Sequence, residues 1–264
     1  MPGIAVIGGS GVYSIDEMEV VRKEVVDTPY GKSPEILIGN VGDVEAAFMP
    51  RHGKSHGIPP HKINYRANLW SLKELGVERI LATTAVGSLN PSIEPGTFVV
   101  IDQFLDFTKD RPRTFYEEND SEVVHIDMTE PYCPELRRVL MDSANGLALD
   151  LVDGGTYVCT EGPRFETKAE IEMFSELGAD VVGMTNVPES VLARELEICY
   201  STISIVTNYA AGISESKLTH DEVAEIMEEN IEIVKDLILR ALPQIPKERA
   251  CGCGSALDGA KVST

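Results

Sequence analysis

Apolar and polar positions alternate in blocks along the chain, and these blocks predict strands that alternate with helices. Short continuous apolar runs bounded by glycine or polar residues are typical of buried strands. Such runs lie at residues 4–7, 79–84, 96–103, 180–183 and 199–206. Two further runs, Glu35–Ile38 and Glu45–Met49, predict a hairpin whose turn lies at residues 39–43.

Apolar positions at helical spacing predict three helices. They lie at residues 64–75, 168–177 and 220–242. Gly76 and Gly178 directly follow the first two, as expected of helix C-caps, because glycine adopts left-handed backbone readily. Strands that alternate with helices predict an α/β fold with a central mixed β-sheet flanked by helices on both sides.

Length and composition agree with one large domain. The chain has 264 residues, of which 43% are hydrophobic, enough to build a real core. We expect a single domain over residues 1–245, followed by a tail at residues 246–264 that contains Cys251-Gly-Cys253. The N-terminus lacks a basic segment, and no apolar stretch reaches the ~18 residues of a membrane span. We therefore expect a soluble, cytoplasmic protein without a membrane partner.

The net charge of −20 restricts the partners of the protein. A surface this acidic repels nucleic-acid backbones and anionic lipid, so we expect no nucleic-acid partner. An anionic ligand would have to be held by a local group of cations and amide dipoles. Such a group is present at residues 51–61, where one arginine, one lysine and three of the five histidines lie close together.

The five cysteines fall into two groups. An odd number without a secretory signal argues against a disulfide framework. Cys133, Cys159 and Cys199 lie in apolar surroundings, which is typical of small core residues. Cys251 and Cys253 lie in a polar, glycine-rich segment and could form a redox-active or stabilising pair, or have no role. As a metal motif the pair lacks two further ligands.

Residues that could contact a ligand, most of them polar, follow several of the predicted strands at their carboxyl ends, where ligands bind in folds of this class. These residues are Ser10, Arg51, His52, Thr84, Ala85, Met184, Thr185, Asn186, Thr207 and Asn208. Small hydroxyls, amides and one cation at neighbouring strand ends predict a cleft for a ligand that is polar and partly anionic.

The histidines of residues 51–61 do not predict a metal site. Glycines and prolines between His52, His56 and His61 prevent helical ligand spacing, and no carboxylate lies in the segment. Arg51 beside His52 on a glycine-rich loop fits a phosphate better, because the arginine fork can bind it through two hydrogen bonds. We expect no metal here.

Ten segments in order resemble the trimeric-type purine nucleoside phosphorylase and methylthioadenosine phosphorylase family over nearly the whole chain. They are GGSG (8–11), VDTPYGK (26–32), RHGKSH (51–56), NYRAN (64–68), TTAVGSL (83–89), EPGTFVVIDQFLD (94–106), RPRTFY (111–116), EGPRFET (161–167), GMTNVPE (183–189) and TNYAAG (207–212). The resemblance implies a nucleoside phosphorylase-like fold, a homotrimer or a dimer of trimers, and no cofactor, with inorganic phosphate as co-substrate.

The resemblance also implies roles for individual residues. The implied phosphate ligands are Ser10, Arg51, His52, Thr84, Ala85 and Thr185. The implied nucleoside contacts are Phe165, Glu166, Met184, Thr207, Asn208, Ala210, His220 and, from the neighbouring subunit, His125. Asn208 and His52 are the expected catalytic residues. Phosphate attacks C1′ of the ribose while the bond to the purine breaks, so orientation and electrostatics carry the rate.

Glu166 and Asn208 bear on the choice of base. A 6-oxopurine presents an N1–H donor, which the Glu166 carboxylate can accept, and O6 and N7 acceptors, to which the Asn208 amide can donate. Adenine reverses this pattern at N1 and at the 6-position. Methylthioadenosine phosphorylases differ from this chain at Glu166, Asn208 and Ala210. We therefore expect inosine and guanosine to be converted to free base and ribose 1-phosphate in purine salvage.

Other functions remain open at this point. Methylthioinosine carries the same base with an apolar 5′ group, and only His220, which can bond a 5′-hydroxyl, favours the ordinary ribose. S-methyl-5′-thioinosine or S-methyl-5′-thioadenosine phosphorolysis is therefore the alternative activity. A nucleoside hydrolase would not need the phosphate ligands, and a non-catalytic nucleoside-binding protein would not release base.

Overall fold

A computed structural model describes residues 1–9, 12, 17–53, 57–117, 122–147, 149, 151–214 and 220–262, except for the side chains of residues 220–222. In this part of the chain the strands are β1 (Ile4–Gly8), β2 (Glu19–Glu24), β3 (Asp27–Thr28), β4 (Gly31–Lys32), β5 (Ile36–Val41), β6 (Val44–Pro50), β7 (Arg79–Ser88), β8 (Phe98–Val100), β9 (Gln103–Phe107), β10 (Leu151–Asp153), β11 (Thr156–Thr160), β12 (Val181–Gly183) and β13 (Cys199–Tyr209). The helices are α1 (Tyr65–Glu74), α2 (Pro134–Asn145), α3 (Lys168–Glu176), α4 (Asn186–Glu195) and α5 (His220–Ala241), with short 3-10 helices at Pro60–Lys62, Leu242–Gln244 and Gly252–Ser255.

Most of the strands form one mixed sheet in the order β10-β8-β13-β7-β1-β6-β5-β2. The central strands β6, β1, β7 and β13 are parallel, so their carboxyl ends meet at one edge. The outer strands β2 and β5 on one side pair antiparallel with their neighbours, and on the other side β8 pairs antiparallel with β13 and parallel with β10. The mixed sheet predicted from the alternating pattern is confirmed.

Helices cover both faces of this sheet, as predicted. Along β1, the side chains of Ala5 and Ile7 belong to the core that contains α1 and α4, whereas Val6 belongs to the core that contains α2 and α5. This alternation follows from the two-residue period of a strand. Both faces are apolar, which explains why the central strands are continuous apolar runs in the sequence.

A smaller group of strands extends the sheet beyond the end of β7. β12 pairs antiparallel with the last residues of β7 and parallel with β11, which pairs in turn with β9. α3 packs against these strands through Ile171 and Phe174. This arrangement brings the segment after β11 and the segment after β12 next to the carboxyl ends of the central strands.

The predicted elements agree with the observed ones, with two differences. The single strand predicted at residues 96–103 is interrupted after Val100, where the side chain of Asp102 accepts a hydrogen bond from the Gly155 amide at 2.9 Å, and pairing resumes in β9. β7 and β13 are longer than predicted, since polar residues at their ends still form ladder pairs. Two helices, α2 and α4, and five strands, β2, β3, β4, β10 and β11, were not predicted.

The C-terminal segment packs onto the domain. Ile245 and Cys253 are buried, and Val124 forms an isolated antiparallel bridge with Lys261. Arg79 and Arg249 also bind this segment to the domain: Arg79 donates to the carbonyl of Lys247 at 2.9 Å, and Arg249 donates to that of Glu197 at 2.8 Å. The boundary predicted after residue 245 stays a prediction. None of the helices in the described part of the chain is long and apolar enough to span a membrane.

Candidate active site at the carboxyl ends of the central strands

A cavity of about 340 Å³ opens at the carboxyl ends of β1, β6, β7 and β13. Its wall is formed by residues that follow these strands, by the segment after β11, by the segment after β12 and by the first turns of α5. The lining residues are Gly9, Arg51, His52, Gly57, Ile58, Pro59, Pro60, Thr84, Ala85, Val86, Gly87, Pro163, Phe165, Glu166, Val182, Gly183, Met184, Thr185, Thr207, Asn208, Ala210 and Val223. The size suits a small polar ligand with an apolar body.

Arg51 forms a fully buried ion pair at the floor of the cavity. Its Nε and Nη2 donate to the two carboxylate oxygens of Glu189, each at 2.7 Å, and its Nη1 donates to the carbonyl of Thr83 at 2.8 Å. In the structure, the two parallel hydrogen bonds of Arg51 therefore go to a carboxylate, whereas the sequence analysis expected them to bind a phosphate. Of its five N–H donors, two remain for a ligand among the described residues.

Glu189 holds Arg51 in a network that the sequence did not indicate. The hydroxyl of Tyr200 lies 2.7 Å from Glu189 and 3.0 Å from the side-chain oxygen of Asn186. Burial alone would lower the pKa of Arg51, but the charge and hydrogen bonds of Glu189 raise it above its ordinary value. Burial and then the charge of Glu189 raise the pKa of Tyr200, which keeps its hydroxyl protonated. The guanidinium is permanently charged and fixed in place.

His52 lies beside Arg51 and is buried. Its Nδ1 lies 2.9 Å from the carbonyl oxygen of Ile58. A carbonyl can only accept, so Nδ1 carries a proton and the ring orientation is set by the backbone of the loop. This places the imidazole in the wall of the cavity with a defined tautomer when it is neutral.

The side of the cavity nearest Arg51 is completed by threonine and serine hydroxyls and by the backbone of the loop after β1, which lies close to β7. Thr84 Oγ1 lies 2.8 Å from Ser204 Oγ, and the amide of Gly9 donates to Thr83 Oγ1 at 2.9 Å. A Cβ at Gly9 would lie 2.3 Å from the carbonyl oxygen of Thr83, so only glycine lets the loop after β1 approach β7. Ser10, the next residue, lies outside the described residues.

Asn208 has a defined amide orientation on the opposite side. Its Nδ2 donates to the carbonyl of Tyr209 at 2.9 Å, and its Oδ1 lies 2.9 Å from the hydroxyl of Thr207. The pairing of β13 with β7 shifts register between Val206 and Asn208, and such an irregularity re-aims side chains. An amide nitrogen carries two N–H groups, so a second donor remains for a ligand among the described residues.

Glu166 lines the same cavity as Asn208 and contributes an acceptor. Thr160 donates to its carboxylate at 2.6 Å. Burial raises the pKa of Glu166, although the hydrogen bond from Thr160 acts in the opposite direction. The neighbouring Phe165 is 41% exposed, which makes it an aromatic face available to a ligand. Met184 also lines the cavity.

Arg111 positions the two segments that carry these contacts. Its guanidinium donates to the carbonyl oxygens of Met184 and Val187, each at 2.8 Å, and to that of Glu161 at 2.7 Å. The side chain is buried and also forms an ion pair with Glu161 at 3.4 Å. Arg111 thus ties the segment after β11 to the segment after β12. Its place in RPRTFY was the only sign in the sequence, and its role was not predicted.

The structure brings most of the residues predicted for the site to this one cavity. Those that line it are Arg51, His52, Thr84, Ala85, Phe165, Glu166, Met184, Thr185, Thr207, Asn208 and Ala210. Ser10, His56 and the side chain of His220 lie outside the described residues. His125 is exposed and does not line the cavity; its backbone amide donates to the carbonyl of Ala260 at 2.9 Å. The individual roles stay predictions.

Comparison with known proteins identifies the relatives of this chain. The 6-oxopurine nucleoside phosphorylase of Pyrococcus furiosus is 60% identical over 98% of this chain and 99% of its own length. The probable S-methyl-5′-thioinosine phosphorylase of Methanothermobacter thermautotrophicus is 55% identical over 98% of this chain and 90% of its own length. The methylthioadenosine phosphorylase of Schistosoma mansoni, solved in complex with adenine, matches 99% of both chains with a TM-score of 0.93 and 36% identity.

The family model that matches the chain is described as the phosphorylase superfamily and covers residues 3–243. This range includes every residue that lines the cavity. Since the fold, the strand-end cavity and the relatives agree over nearly the whole length, the chain belongs to the phosphorylase superfamily.

Proposed function

We propose that this protein is a purine nucleoside phosphorylase that converts inosine and guanosine, with inorganic phosphate, to the free base and ribose 1-phosphate. The observation that carries the proposal is that one cavity contains both a set of donors for an anion, around Arg51, and a donor–acceptor pair for a 6-oxopurine, Asn208 and Glu166. Relatives named as 6-oxopurine nucleoside phosphorylases support the same activity.

The phosphate site we propose depends on oriented donors more than on net positive charge. Glu189 neutralises the charge of Arg51, so a phosphate would meet the remaining guanidinium N–H groups, together with the hydroxyls of Thr84 and Thr185 and the backbone of Ala85. Donors that are already fixed in place bind an anion without reorganisation. His52 would add a donor to the phosphate when its ring is protonated on both nitrogens.

The base site we propose follows the hydrogen-bonding pattern of a 6-oxopurine. The second N–H of Asn208 would donate to O6 or N7, and the Glu166 carboxylate would accept the N1–H. As the bond to C1′ breaks, negative charge develops on the purine, and the Asn208 donor stabilises that charge. Phe165 would stack on the base. Phosphate attacks C1′ from the side of Arg51 and His52, so the protein supplies orientation and needs no covalent nucleophile.

S-methyl-5′-thioinosine phosphorolysis is the second candidate. Val223, near the start of α5, contributes an apolar side chain to the cavity wall. An apolar residue there would favour a methylthio group over a 5′-hydroxyl. The relative from Methanothermobacter thermautotrophicus carries this activity in its name. The base contacts are the same in both cases.

A direct assay tests the proposal. Phosphate-dependent cleavage of inosine, guanosine, adenosine, methylthioadenosine and methylthioinosine is measured side by side as kcat/KM. Leading rates for inosine and guanosine support the proposal, whereas a lead for methylthioinosine supports the second candidate. A lead for methylthioadenosine contradicts the base assignment. Base release that continues without phosphate indicates a hydrolase, and no release of base indicates a binding protein.

Assembly and cellular role are further parts of the proposal. We infer a homotrimer or a dimer of trimers in which His125 reaches the active site of a neighbouring subunit; its exposed position outside its own cavity is compatible with this arrangement. Function in purine salvage in the cytoplasm would follow from the proposed substrates. Sedimentation analysis of the purified protein gives the mass of the assembly.

A further inference from the structure

Four of the five cysteines converge at the end of the sheet opposite to the cavity. The sulfur atoms of Cys133, Cys199, Cys251 and Cys253 all lie within 4.8 Å of one another. The Sγ atoms of Cys199 and Cys251 are 3.4 Å apart. Cys133, Cys199 and Cys253 are buried, and Cys251 is half-buried. The four cysteines are free thiols.

Three separate segments of the chain deliver these sulfurs. Cys199 is the first residue of β13, and Cys133 directly precedes α2. The backbone amide of Cys133 donates to the carbonyl of Tyr200 at 2.8 Å, which fixes the start of α2 beside the start of β13. Cys251 and Cys253 flank the beginning of the C-terminal 3-10 helix. This convergence supplies the two further ligands that the Cys251-Gly-Cys253 pair lacks in the sequence.

We propose that Cys133, Cys199, Cys251 and Cys253 bind one thiophilic divalent metal ion such as zinc. The four cysteines would supply all of its ligands, as in a structural zinc site. A Zn–S bond of ~2.3 Å at tetrahedral angles separates neighbouring sulfurs by roughly 3.8 Å. A mutual separation within 4.8 Å is close to that set of distances and needs only small side-chain rotations to reach it. This proposal replaces the expectation of a metal-free protein and is independent of the proposed enzymatic activity.

Two features beside the cluster stabilise negative charge on sulfur. Metal binding requires each thiol to lose its proton, and a set of four thiolates around a divalent cation retains negative charge. Arg194 donates from Nη1 to the sulfur of Cys253 at 3.5 Å and is itself held by the carbonyl of Glu130 at 2.6 Å. Cys133 occupies the N-cap position of α2 without a capping hydrogen bond from its side chain, and the helix dipole at this position stabilises an anion. These two contacts offset the excess charge.

A cleft beside the cluster provides a path for a cation. It has a volume of about 420 Å³ and reaches Cys253. Its wall carries Asp127, Glu130 and Asp258. Carboxylates around an entrance raise the local concentration of cations. The metal ion can therefore reach the sulfurs without unfolding of the core, and the four protons leave to solvent with no oxidant or reductant needed.

The same four cysteines could instead form two disulfides, which would require a different arrangement of the sulfur atoms. A disulfide joins two sulfurs at about 2.05 Å and sets no requirement on the distance to another pair. Here each sulfur lies close to all three others, as a shared central ion requires. Disulfide formation would also need an oxidant to remove two electrons for each bond. The measurements below separate the two chemistries.

The first measurement is the metal content of the full-length protein, purified anaerobically without added metal and analysed by inductively coupled plasma mass spectrometry. We expect one zinc ion per chain. Four of the five thiols should react with a disulfide reagent only after a chelator has removed the metal. Cobalt(II) exchanged into the site should give a sulfur-to-metal charge-transfer band and the intense visible bands of tetrahedral coordination. Absence of metal contradicts the proposal.

The denatured mass identifies the redox alternative. If the thiols bind metal, the denatured chain has the mass of the fully reduced polypeptide. If they form two disulfides, the mass is lower by four hydrogens. The lower mass without bound metal would overturn the proposal. So would the full mass with four freely reactive thiols and no metal.

Variants assign the metal to these residues. Cys251→Ser and Cys253→Ser change the C-terminal segment outside the central strands, and each should reduce bound zinc to a small fraction of its value in the unaltered protein. Cys159→Ala is the control, because Cys159 is a buried free cysteine that lies outside the cluster; the zinc content of this variant should remain unchanged. Zinc retained in both serine variants would place the metal elsewhere and contradict the proposal.

Discussion

The two ends of the central strands differ in whether their polar groups and sulfurs remain available to a ligand from solvent. At the carboxyl ends, Asn208 and Arg51 each retain donors that a ligand can use, and the surrounding cavity is open to solvent. At the amino ends, three sulfurs are buried and all four face one another. Strand β13 connects the two regions, since it begins at Cys199 and reaches Thr207 about 26 Å further on, at ~3.3 Å per residue.

This difference separates function from stability along a single strand. Polar groups at the carboxyl end are only partly satisfied by the protein, and the proposed substrate would complete them. Groups at the amino end satisfy one another or a shared ion, and they attach the C-terminal segment to the domain. We therefore expect substitutions near the cavity to change kinetics, and substitutions near the sulfurs to change stability. Arg51 and Tyr200 are the residues at which the two effects meet.

The largest effect is expected for Arg51→Ala, which breaks this separation. The variant leaves the Glu189 carboxylate buried without its partner, and loss of one member of a buried pair destabilises by ~3–5 kcal/mol. We also expect the KM for phosphate to rise far more than the KM for nucleoside. Chemical denaturation measures the first effect, and steady-state kinetics with either substrate varied measures the second.

A double variant distinguishes the two roles of Arg51. Arg51→Ala with Glu189→Gln removes the unpaired charge while keeping an acceptor for Tyr200. Stability should recover in part, but the KM for phosphate should remain high. Recovery of both would mean that Arg51 acts on phosphate only by keeping the fold intact. Equal increases of both KM values in the single variant would remove Arg51 from the phosphate site.

Tyr200→Phe tests whether the two ends are mechanically linked. The hydroxyl donates to Glu189 near the cavity, while the backbone carbonyl of the same residue accepts from Cys133 near the sulfurs. Loss of a hydrogen bond to a charged group should lower the free energy of unfolding by ~1.5–3 kcal/mol. The backbone contact is retained, so zinc content should stay the same. A fall in zinc content would show that the two regions are coupled through β13.

Asn208→Asp changes specificity at the cavity end without disturbing the other end. A carboxylate accepts where the amide donated, so preference should shift from inosine towards adenosine. A mismatched buried polar group costs ~1–3 kcal/mol, which corresponds to about one to two orders of magnitude in relative kcat/KM. The ratio for inosine and adenosine is the measurement. An unchanged ratio would contradict the assignment of Asn208 to the base.

The strand-end cavity could be predicted from the sequence because its determinants are local. Apolar runs mark the strands, and the residues that follow them are adjacent in the chain, as for Thr207 and Asn208. The partner of Arg51 could not be predicted this way, since Glu189 lies 138 residues away and belongs to a helix that the apolar pattern did not reveal. The sulfur cluster joins three distant segments, so only the folded chain shows that Cys133 and Cys199 meet the Cys251-Gly-Cys253 pair.

The smallest expected effect is a change of specificity with pH that depends on Glu166. Burial raises the pKa of this carboxyl, so it gains a proton at a higher pH than an ordinary glutamate. The ionised form accepts the N1–H of inosine, whereas the protonated form can donate to N1 of adenosine. The ratio of kcat/KM for inosine to that for adenosine should therefore fall as pH is lowered. Ionisation of phosphate affects both substrates alike and cancels in this ratio.

Two variants assign this pH dependence. Glu166→Gln has no ionisable group, so its ratio should be independent of pH over the same range. Glu172→Gln is the matched control: it changes an exposed glutamate of α3 that lies outside the cavity, and it should keep the dependence of the unaltered protein. A ratio that is constant with pH in the unaltered protein would mean that Glu166 does not contact N1. The preference for 6-oxopurines would then depend on Asn208 alone, and the effect of Asn208→Asp would measure all of it.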